Sequence, residues 1–241
     1  MRKVIILQAR LASSRFPSKV LAELAGKPAI SHIVDRLKAA TLADGVCVAI
    51  PDDRGEDPLA EYLLGLDVSI TRGSGPDVLG RYIQAAYESR AEIIVRATAD
   101  NPLVCYRNID RQLAEMEADP ELDYIITEGF PLGITTETFT LRTLEKLDYL
   151  ARQPNLREHV TLYLRQRPGP FVVKPLAAPP ELTRPELRLT MDTHQDYALM
   201  SAIHGRLCQP GELVDLKAVL DLLDSEPDLA RQSQSVIGAS A

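Results

Sequence analysis

Short runs of β-branched residues alternate along the chain with longer amphipathic segments, and this alternation restricts the possible folds more than any other feature. Strands are predicted at residues 4–7, 46–50, 68–70, 93–95 and 124–126. Helices are predicted between them, at residues 28–40, 58–64, 76–88 and 108–118. Strands that alternate with helices in this way form a mostly parallel sheet with helices on both faces. We therefore predict an α/β fold that binds ligands at the carboxyl ends of its strands.

The pattern changes after residue 130. Residues 131–139 alternate as in a strand or a hairpin, residues 141–150 and 159–165 predict helices, and residues 170–176 and 187–192 predict strands. Two closing helices are predicted at residues 195–207 and 213–223. Because no repeat and no long linker divides the sequence, we expect a single domain over residues 1–241, with residues 130–180 as a small added subregion.

Charge and cysteine content argue against several classes of function. The 241 residues carry a formal net charge of -7, which disfavours general binding of nucleic acid or anionic membranes, since both require a basic face. The three cysteines have no paired spacing, so neither a disulfide framework nor a zinc site is expected. No apolar run approaches the ~20 residues of a membrane span, and no secretory leader pattern is seen. We expect a cytoplasmic protein with reduced cysteines.

A cluster of positive charge follows the first predicted strand of this acidic chain. The segment QARLASSRFPSKVL contains Arg10, Arg15 and Lys19 among small residues. Small side chains let backbone N–H groups approach a phosphate, and arginine donates paired hydrogen bonds to phosphate oxygens. The segment is not a P-loop, since it lacks the G-x-x-x-x-G-K-[ST] pattern. From these residues alone, a polyphosphate site and an ordinary solvated loop both remain open.

Two aspartates stand where predicted strands end. Asp100 follows the run IIVRATA, and Asp192 follows LRLTM. Triphosphate chemistry requires a divalent cation, usually Mg2+ held by one or two carboxylates. The end of a strand can hold such a carboxylate rigidly toward a cleft. Each aspartate also precedes a predicted helix, so a helix N-cap is an equal alternative for either one.

Five segments, in order along the chain, resemble one known family. They are QARLASSRFPSKVL followed by LAGKP, TRGSGPDVLGRY at residues 71–82, VRATADNPLV at residues 95–104, REHVT at residues 157–161, and LTMDTHQDYALM at residues 189–200. In these segments the chain resembles bacterial cytidylyltransferases of the spore coat polysaccharide biosynthesis protein F type. That family is related to the CMP-sialic acid and CMP-octulosonate synthetases.

The resemblance implies a three-layer, mostly parallel nucleotidyltransferase domain of the GT-A or Rossmann-like kind. It implies an Mg2+-dependent enzyme that transfers CMP from CTP to a sugar acid or related hydroxyl acceptor and releases pyrophosphate, in the biosynthesis of surface polysaccharide or glycan. A homodimer is expected, with residues 130–180 serving the acceptor or the dimer contact. Neither a nucleic acid nor a membrane is expected as a partner.

The same resemblance implies a role for individual residues. Catalysis is assigned to Arg10, Lys19 and Asp100, and metal binding to Asp100 and Asp192. The acceptor is expected near Glu137, Arg157 and His159. For Arg157 and His159 a contact with a partner subunit is the alternative, and for Glu137 a solvent-facing strand position. The expected nucleotide-binding residues are Gln8, Ala9, Arg10, Leu11, Arg15, Lys19, Gly73, Ser74, Asp77, Val78 and Leu79.

Three positions depart from the family pattern, and two other functions remain open. Ser18 and Ala99 stand where glycine is expected, and Thr135 stands where an aspartate is expected. A glycosyltransferase of the same fold would use an Asp-x-Asp-like metal motif, but here Thr98 occupies the position of the first acid and only Asp100 is kept. A non-catalytic nucleotide-binding protein is the third possibility.

Overall fold

The structure, a computed structural model, describes residues 1–234 of the chain. Two short strands form a separate hairpin, namely β2 (Glu23–Leu24) and β3 (Lys27–Pro28). The central sheet contains seven strands, which are β1 (Lys3–Gln8), β4 (Gly45–Pro51), β5 (Ser69–Gly73), β6 (Ile93–Thr98), β7 (Tyr124–Glu128), β8 (Glu137–Thr140) and β9 (Val173–Ala177).

The strands of the central sheet lie in the order β5-β4-β1-β6-β8-β7-β9. Neighbours from β5 to β6 pair in parallel, and so do β7 and β9, whereas β8 runs antiparallel to both β6 and β7. The prediction of a mostly parallel α/β fold is therefore confirmed, and the five strands predicted in the first half of the chain are all present. The loops that follow β1, β4 and β6 consequently leave the sheet at the same edge.

Helices cover both faces of the sheet. They are α1 (Ala29–Lys38), α2 (Asp57–Leu64), α3 (Val78–Glu88), α4 (Tyr106–Ala118), α5 (Leu141–Leu150), α6 (Pro154–Glu158), α7 (Leu162–Gln166), α8 (His194–Leu207), α9 (Leu216–Ser225) and α10 (Pro227–Gln234). The four helices predicted in the first half of the chain are among them. Within residues 1–234, no helix has both the length and the apolar character that crossing a membrane requires.

The alternation of side chains along β1 explains the layered core. Ile5 and Leu7 are fully buried among α1, α2 and α4, whereas Val4 and Ile6 pack in a second cluster with α3 and α5. Successive side chains of a strand point to opposite faces, so a strand that is apolar at every position must be covered on both. A third apolar cluster joins α8, α9 and α10 to residues 187–191. It supports the segment that leads into Asp192.

One element predicted in the second half of the chain is wrong, and another has different bounds. Residues 187–192 do not form a strand, and a single bridge pairs Arg188 with Leu132. The reason is that this segment crosses from Leu132 to Asp100, whose carbonyl oxygen accepts from the Met191 N–H at 2.7 Å, so no neighbour runs alongside it. The helix predicted at residues 159–165 is also displaced. Pro154 begins a separate short helix, α6, and the chain turns at residues 159–161 before α7.

Gly133 allows the loop between β7 and β8 to approach the segment 187–192 closely. Its φ is +99°, which lies in the left-handed region that only glycine adopts without strain. A Cβ at this position would lie 2.8 Å from both the Leu189 carbonyl oxygen and Thr190 Cγ2. Glycine is therefore required here both by the backbone conformation and by the contact with residues 189–190.

Gly133→Ala is expected to lower the free energy of unfolding by about 2 kcal/mol or more, because backbone strain of roughly 1–3 kcal/mol adds to a contact with backbone atoms. Urea denaturation measures the difference. The matched control is Gly205→Ala in α8, where a Cβ meets nothing within 4 Å. There alanine should stabilise the protein by about 0.5–1 kcal/mol. Equal stability of Gly133→Ala and the wild type would contradict this account.

Candidate active site

The carboxyl ends of β1 and β6 lie side by side at one edge of the sheet. Their parallel pairing extends to Gln8 and Thr98, so the loops after the two strands begin at the same place. A cavity of about 360 Å3 opens there. Nine of the residues expected from the sequence line it, namely Gln8, Ala9, Arg10, Arg15, Lys19, Val78, Asp100, His159 and Asp192.

The loop that carries the three cations is held at several points. The Ser18 N–H donates to the Leu11 carbonyl oxygen at 2.9 Å, which closes the loop on itself. The Leu11 N–H in turn donates to the Glu56 carboxylate at 2.8 Å, and this carboxylate is almost completely buried. Farther along, the Phe16 ring packs against His194 of α8 with ring centroids 4.3 Å apart. These contacts fix the loop over the cavity, which an ordinary solvated loop would not require.

Asp192 is the centre of a compact charge cluster. Lys19 Nζ lies 2.8 Å from its Oδ1, and Arg15 Nη2 lies 3.4 Å from the same oxygen. Arg188 Nη2 lies 2.6 Å from Oδ2. Burial acts to raise the pKa of the Asp192 carboxyl, but the hydrogen bonds and charges of Lys19 and Arg188 lower it below its ordinary value. The carboxylate is thus held ionised among three cations.

Asp192 does not cap the helix that follows it. The N-cap of α8 is Thr193, whose hydroxyl accepts from the Asp196 N–H at 3.2 Å. Asp196 completes the capping box, because its carboxylate accepts from the N–H groups of Thr193 at 2.9 Å and of Asp192 at 2.8 Å. The backbone of Asp192 is therefore fixed by its neighbours, and its side chain remains available to the cavity.

Asp100 is not a helix cap either, since the N-cap of α4 is Cys105. Its Oδ2 lies 3.9 Å from Lys19 Nζ, so Lys19 reaches both aspartates. Its Oδ1 is buried and has no hydrogen-bond partner in the part of the chain that the structure describes. A buried carboxylate oxygen without a donor is costly. A bound cation would satisfy it, and carboxylate oxygens are the ligands that Mg2+ prefers.

The two aspartates fit a cation that arrives with its substrate. Residues 1–234 contain no group of three or more His, Cys, Asp or Glu side chains that could hold a metal ion. Mg2+, however, commonly takes one or two carboxylates from the protein and completes its octahedral shell with water and substrate phosphates.

Several expected residues do not line the cavity. Asp77 caps α3 by accepting from the Gly80 N–H at 2.9 Å, and its two oxygens accept from Arg157 at 2.9 and 2.8 Å. Burial acts to raise the pKa of Asp77, but the Arg157 hydrogen bonds lower it below its ordinary value. Residues expected to meet the nucleotide and the acceptor thus bind each other. The other expected residues outside the lining are Leu11, Gly73, Ser74, Leu79 and Glu137.

Glu137 is buried and does not face solvent, so the alternative of an exposed strand position is wrong. Its carboxylate accepts from Arg96 Nη1 at 2.6 Å and from the Thr161 hydroxyl at 2.9 and 3.0 Å. It also accepts a hydrogen bond from the Tyr124 hydroxyl. Burial acts to raise the pKa of Glu137, but the Arg96 charge and the hydrogen bonds from Tyr124 and Thr161 together lower it below its ordinary value. The carboxylate therefore stays ionised and holds Arg96, which does line the cavity.

Arg81, Arg96 and Arg188 were not expected from the sequence. Arg81 and Arg96 line the cavity, and Arg188 contacts Asp192. The Nε of each arginine is buried without a hydrogen-bond partner among the described residues. The signal for Arg96 is present in the sequence, since a charged residue inside the apolar run IIVRAT is rarely buried unless it is paired.

Ala99 and Thr135, two of the three positions that depart from the family pattern, lie in different surroundings. Ala99 lines the cavity and its N–H donates to the Gln8 carbonyl oxygen at 3.0 Å. Thr135 does not line the cavity. Its hydroxyl instead accepts from Asn108 Nδ2 of α4 at 3.3 Å. Ala99, which replaces the expected glycine, therefore borders the cavity. Thr135, which replaces the expected aspartate, instead contacts α4.

A mostly parallel α/β sheet with a cation-rich loop next to two carboxylates at the carboxyl ends of its strands is typical of enzymes that bind nucleotides. The family model described as cytidylyltransferase matches residues 4–216. The chain belongs to this cytidylyltransferase family, and the family assignment made from the sequence motifs is confirmed.

Individual relatives agree with the family. The chain is 30% identical to the spore coat polysaccharide biosynthesis protein SpsF of Bacillus subtilis, over 96% of this chain and 98% of that protein. It is 33% identical to a 3-deoxy-manno-octulosonate cytidylyltransferase of Geobacter sulfurreducens, over 69% of this chain and 62% of that protein.

Solved structures show the same fold. A cytidylyltransferase from Leptospira borgpetersenii serovar Hardjo-bovis has a TM-score of 0.88 and 27% identity, with 95% of this chain and 97% of that chain covered. A CMP:2-keto-3-deoxy-manno-octonic acid synthetase complexed with CTP has a TM-score of 0.66 and 18% identity, with 86% of this chain and 99% of that chain covered. The expected nucleotidyltransferase fold is therefore confirmed.

The third departure, Ser18, occupies a position that favours glycine. Its φ is +56° and its ψ is 22°, and its side chain forms no capping hydrogen bond. We expect Ser18→Gly to remain within about 0.5 kcal/mol of wild-type stability, because relief of roughly 1 kcal/mol of strain is offset by the larger unfolded-state entropy of glycine. Ser18→Val should lose about 1–2 kcal/mol, since a β-branched residue is strained at this φ.

Thermal or urea unfolding of the two variants measures this difference. Ser14→Val is the matched control, because Ser14 is exposed in the same loop and is not among the residues with positive φ. If Ser18→Val were as stable as Ser14→Val, the loop would not depend on the left-handed conformation of residue 18.

Proposed function

We propose that this chain is an Mg2+-dependent cytidylyltransferase that transfers CMP from CTP to a sugar acid or related hydroxyl acceptor and releases pyrophosphate. The observation that carries the proposal is the position of Lys19, which lies 2.8 Å from Asp192 and 3.9 Å from Asp100. One cation-rich loop and two carboxylates therefore face each other across a single cavity, as binding of a metal–triphosphate complex requires. The CTP complex of the synthetase with the same fold supports this nucleotide.

The basic loop would bind the triphosphate. Arg10 and Arg15 line the cavity from the loop after β1, where their guanidinium groups can donate paired hydrogen bonds to phosphate oxygens. Lys19 lies deeper in the site, with a side chain that is 13% exposed. Its fixed positive charge would offset the negative charge that grows on the leaving pyrophosphate. In such a reaction the protein contributes mainly positioning and charge stabilisation.

Asp100 and Asp192 would hold the metal. When bound there, Mg2+ would neutralise charge on the phosphate oxygens and lower the pKa of the attacking hydroxyl. Asp100 is the better placed of the two, because its buried Oδ1 has no other partner among the described residues. Asp192 shares its oxygens with Lys19, Arg15 and Arg188, and these cations can transfer to the phosphates when the nucleotide enters.

Other side chains of the cavity would receive the acceptor. Arg81, Arg96 and His159 line it in addition to the cations of the basic loop. A neutral sugar would not need the extra positive charge of Arg81 and Arg96, whereas the carboxylate of a sugar acid would pair with it. The name of the relative from Geobacter sulfurreducens, an octulosonate cytidylyltransferase, supports the same acceptor class. Glu137 would contribute indirectly, by holding Arg96 from the buried side.

Pyrophosphate release in the presence of Mg2+, one nucleoside triphosphate at a time and a pool of sugar acids tests the proposal. We expect release with CTP only, and only when an acceptor is present. Chelation of the divalent cation should abolish it and added Mg2+ should restore it. Tight nucleotide binding without release from any triphosphate would favour a non-catalytic binding protein. Consumption of a nucleotide-sugar instead would favour glycosyl transfer.

Asp100→Asn is expected to lower kcat by at least about 100-fold, the size of effect seen when one electrostatic contact in an active site is removed. The fold should be retained, because Asp100 Oδ1 has no internal partner to lose. Asp67→Asn is the matched control, since the Asp67 carboxylate is 98% exposed on a distant turn. Unfolding curves check the fold of both variants. Wild-type turnover in Asp100→Asn would refute the metal assignment.

A further inference from the structure

A second and larger cavity lies away from the active site. Its volume is about 550 Å3, which is within the usual range of small-molecule sites. It is bounded by the first turns of α4 and α9, by Phe130, and by the segment that contains Leu182. It shares no lining residue with the cavity at the ends of β1 and β6.

The inner wall of this second cavity contains a buried arginine without a carboxylate partner. Arg36 is 3% exposed. Its Nε donates to the Val104 carbonyl oxygen and its Nη1 to the Val214 carbonyl oxygen, each at 2.6 Å. Its Nη2 donates to no residue within the described range 1–234, where no carboxylate lies within 4 Å of the guanidinium. Burial lowers the pKa of Arg36 to about 10, and the charge of Asp215 opposes this effect only in part.

The surroundings of Arg36 add positive charge to the cavity. Arg107 stands at its mouth with a side chain that is 74% exposed, and its only ionic contact in the described part of the chain is Asp215 at 3.7 Å. The Arg36 and Arg107 guanidiniums both lie over the Tyr106 ring, 5.9 and 5.4 Å from its centroid. The positive ends of the α4 and α9 dipoles face the same space. The cavity lining thus contains four cationic side chains, Arg36, Arg107, Arg111 and Lys217, and two carboxylates, Glu181 and Asp215, in a chain with a net charge of -7.

Part of the remaining wall is apolar, although Asn108 and Glu181 also line the cavity. Phe130 and Leu182 close one side, and the Tyr106 ring forms part of another. A cavity that combines a flat apolar wall with a buried guanidinium that has no directly paired carboxylate suits a ligand that has both a negative headgroup and a flat apolar body. A hydrated inorganic ion would leave the apolar wall uncovered, and a neutral molecule would leave Arg36 without a counter-charge.

We propose that this cavity binds a small organic anion in which a phosphate or a carboxylate is attached to a flat apolar body. The headgroup pairs with Arg36 and Arg107, and the body packs against Tyr106, Phe130 and Leu182. The site is separate from nucleotidyl transfer and does not depend on which nucleotide or acceptor the active site takes.

Isothermal titration calorimetry of the full chain with phenyl phosphate tests the proposal, with benzoate, phenol and inorganic phosphate as comparisons. The titrations are repeated with saturating CTP and Mg2+, so that binding in the active-site cavity is competed away. We expect saturable binding of phenyl phosphate or benzoate that persists with CTP. Phenol and inorganic phosphate should each bind at least about tenfold more weakly, since each lacks one half of the ligand.

Two variants locate the binding site without disturbing the buried Arg36. Arg107→Glu should weaken binding at least about tenfold by charge reversal, and Leu182→Trp should weaken it by filling the apolar half of the cavity. Arg2→Glu is the matched control, because Arg2 is exposed just before the first residue of β1 and does not line the second cavity. This variant should change binding less than twofold. Displacement of phenyl phosphate by CTP, equal binding by all variants, or equal affinity for inorganic phosphate would each overturn the proposal. Since the variants report on the second cavity alone, this result does not depend on the outcome of the pyrophosphate assay.

Discussion

The parallel pairing of β1 with β6 is the constraint on which the rest of the site depends. The two strands are in register from Lys3 and Ile93 to Gln8 and Thr98, and both end at the same edge of the sheet. The loop after β1 carries the cations, and the loop after β6 carries Asp100. The geometry of the sheet therefore places the cations of the first loop and Asp100 close together, although they are far apart in the sequence.

Asp192 reaches the same edge by a different route, because it does not follow a strand of the sheet. Residues 187–191 pack in the apolar cluster formed with α8 and α9. Gly133 lets the loop between β7 and β8 approach these residues closely. The capping box of α8 then fixes the backbone of Asp192. The result is a carboxylate shared by Lys19 and Arg188. A triphosphate competes for the same cations, so on the proposed function nucleotide binding would release Asp192 for the metal.

The sequence predicts those features that depend on local periodicity. The strands of the first half, their covering helices and the basic loop after β1 all follow from patterns of a few residues. The alternatives for Asp192 could also have been separated, since Thr193 and Asp196 stand at the spacing of a capping box. The alternation of apolar residues in the segment 187–192 is misleading, because it suggests a strand that does not form. Leu187, Leu189 and Met191 are indeed buried, but burial on alternate positions does not by itself supply a neighbouring strand.

The features that the sequence does not predict depend on which strands become neighbours. Arg96 on β6 lies directly opposite Glu137 on β8 in the antiparallel register, and this pairing joins residues whose local patterns contain no reference to each other. The resemblance implied a place for Glu137 near the acceptor but gave no indication that its carboxylate binds Arg96. The orientation of Asp77 toward Arg157 is hidden for the same reason, because α3 and α6 meet only in the folded chain.

The buried Glu137–Arg96 pair contributes more to the position of a charge than to stability. Burying two ions costs about as much as their attraction returns, so a pair of this kind is a poor way to stabilise a core. Tyr124 and Thr161 supply the remaining hydrogen bonds to the carboxylate, which prevents Glu137 from turning toward the cavity. Arg96 is then held with its guanidinium at the cavity wall. The charge of Arg96 at the cavity wall is thus fixed by a contact that lies outside the cavity, and on the proposed function a change at Glu137 would act on the acceptor through Arg96.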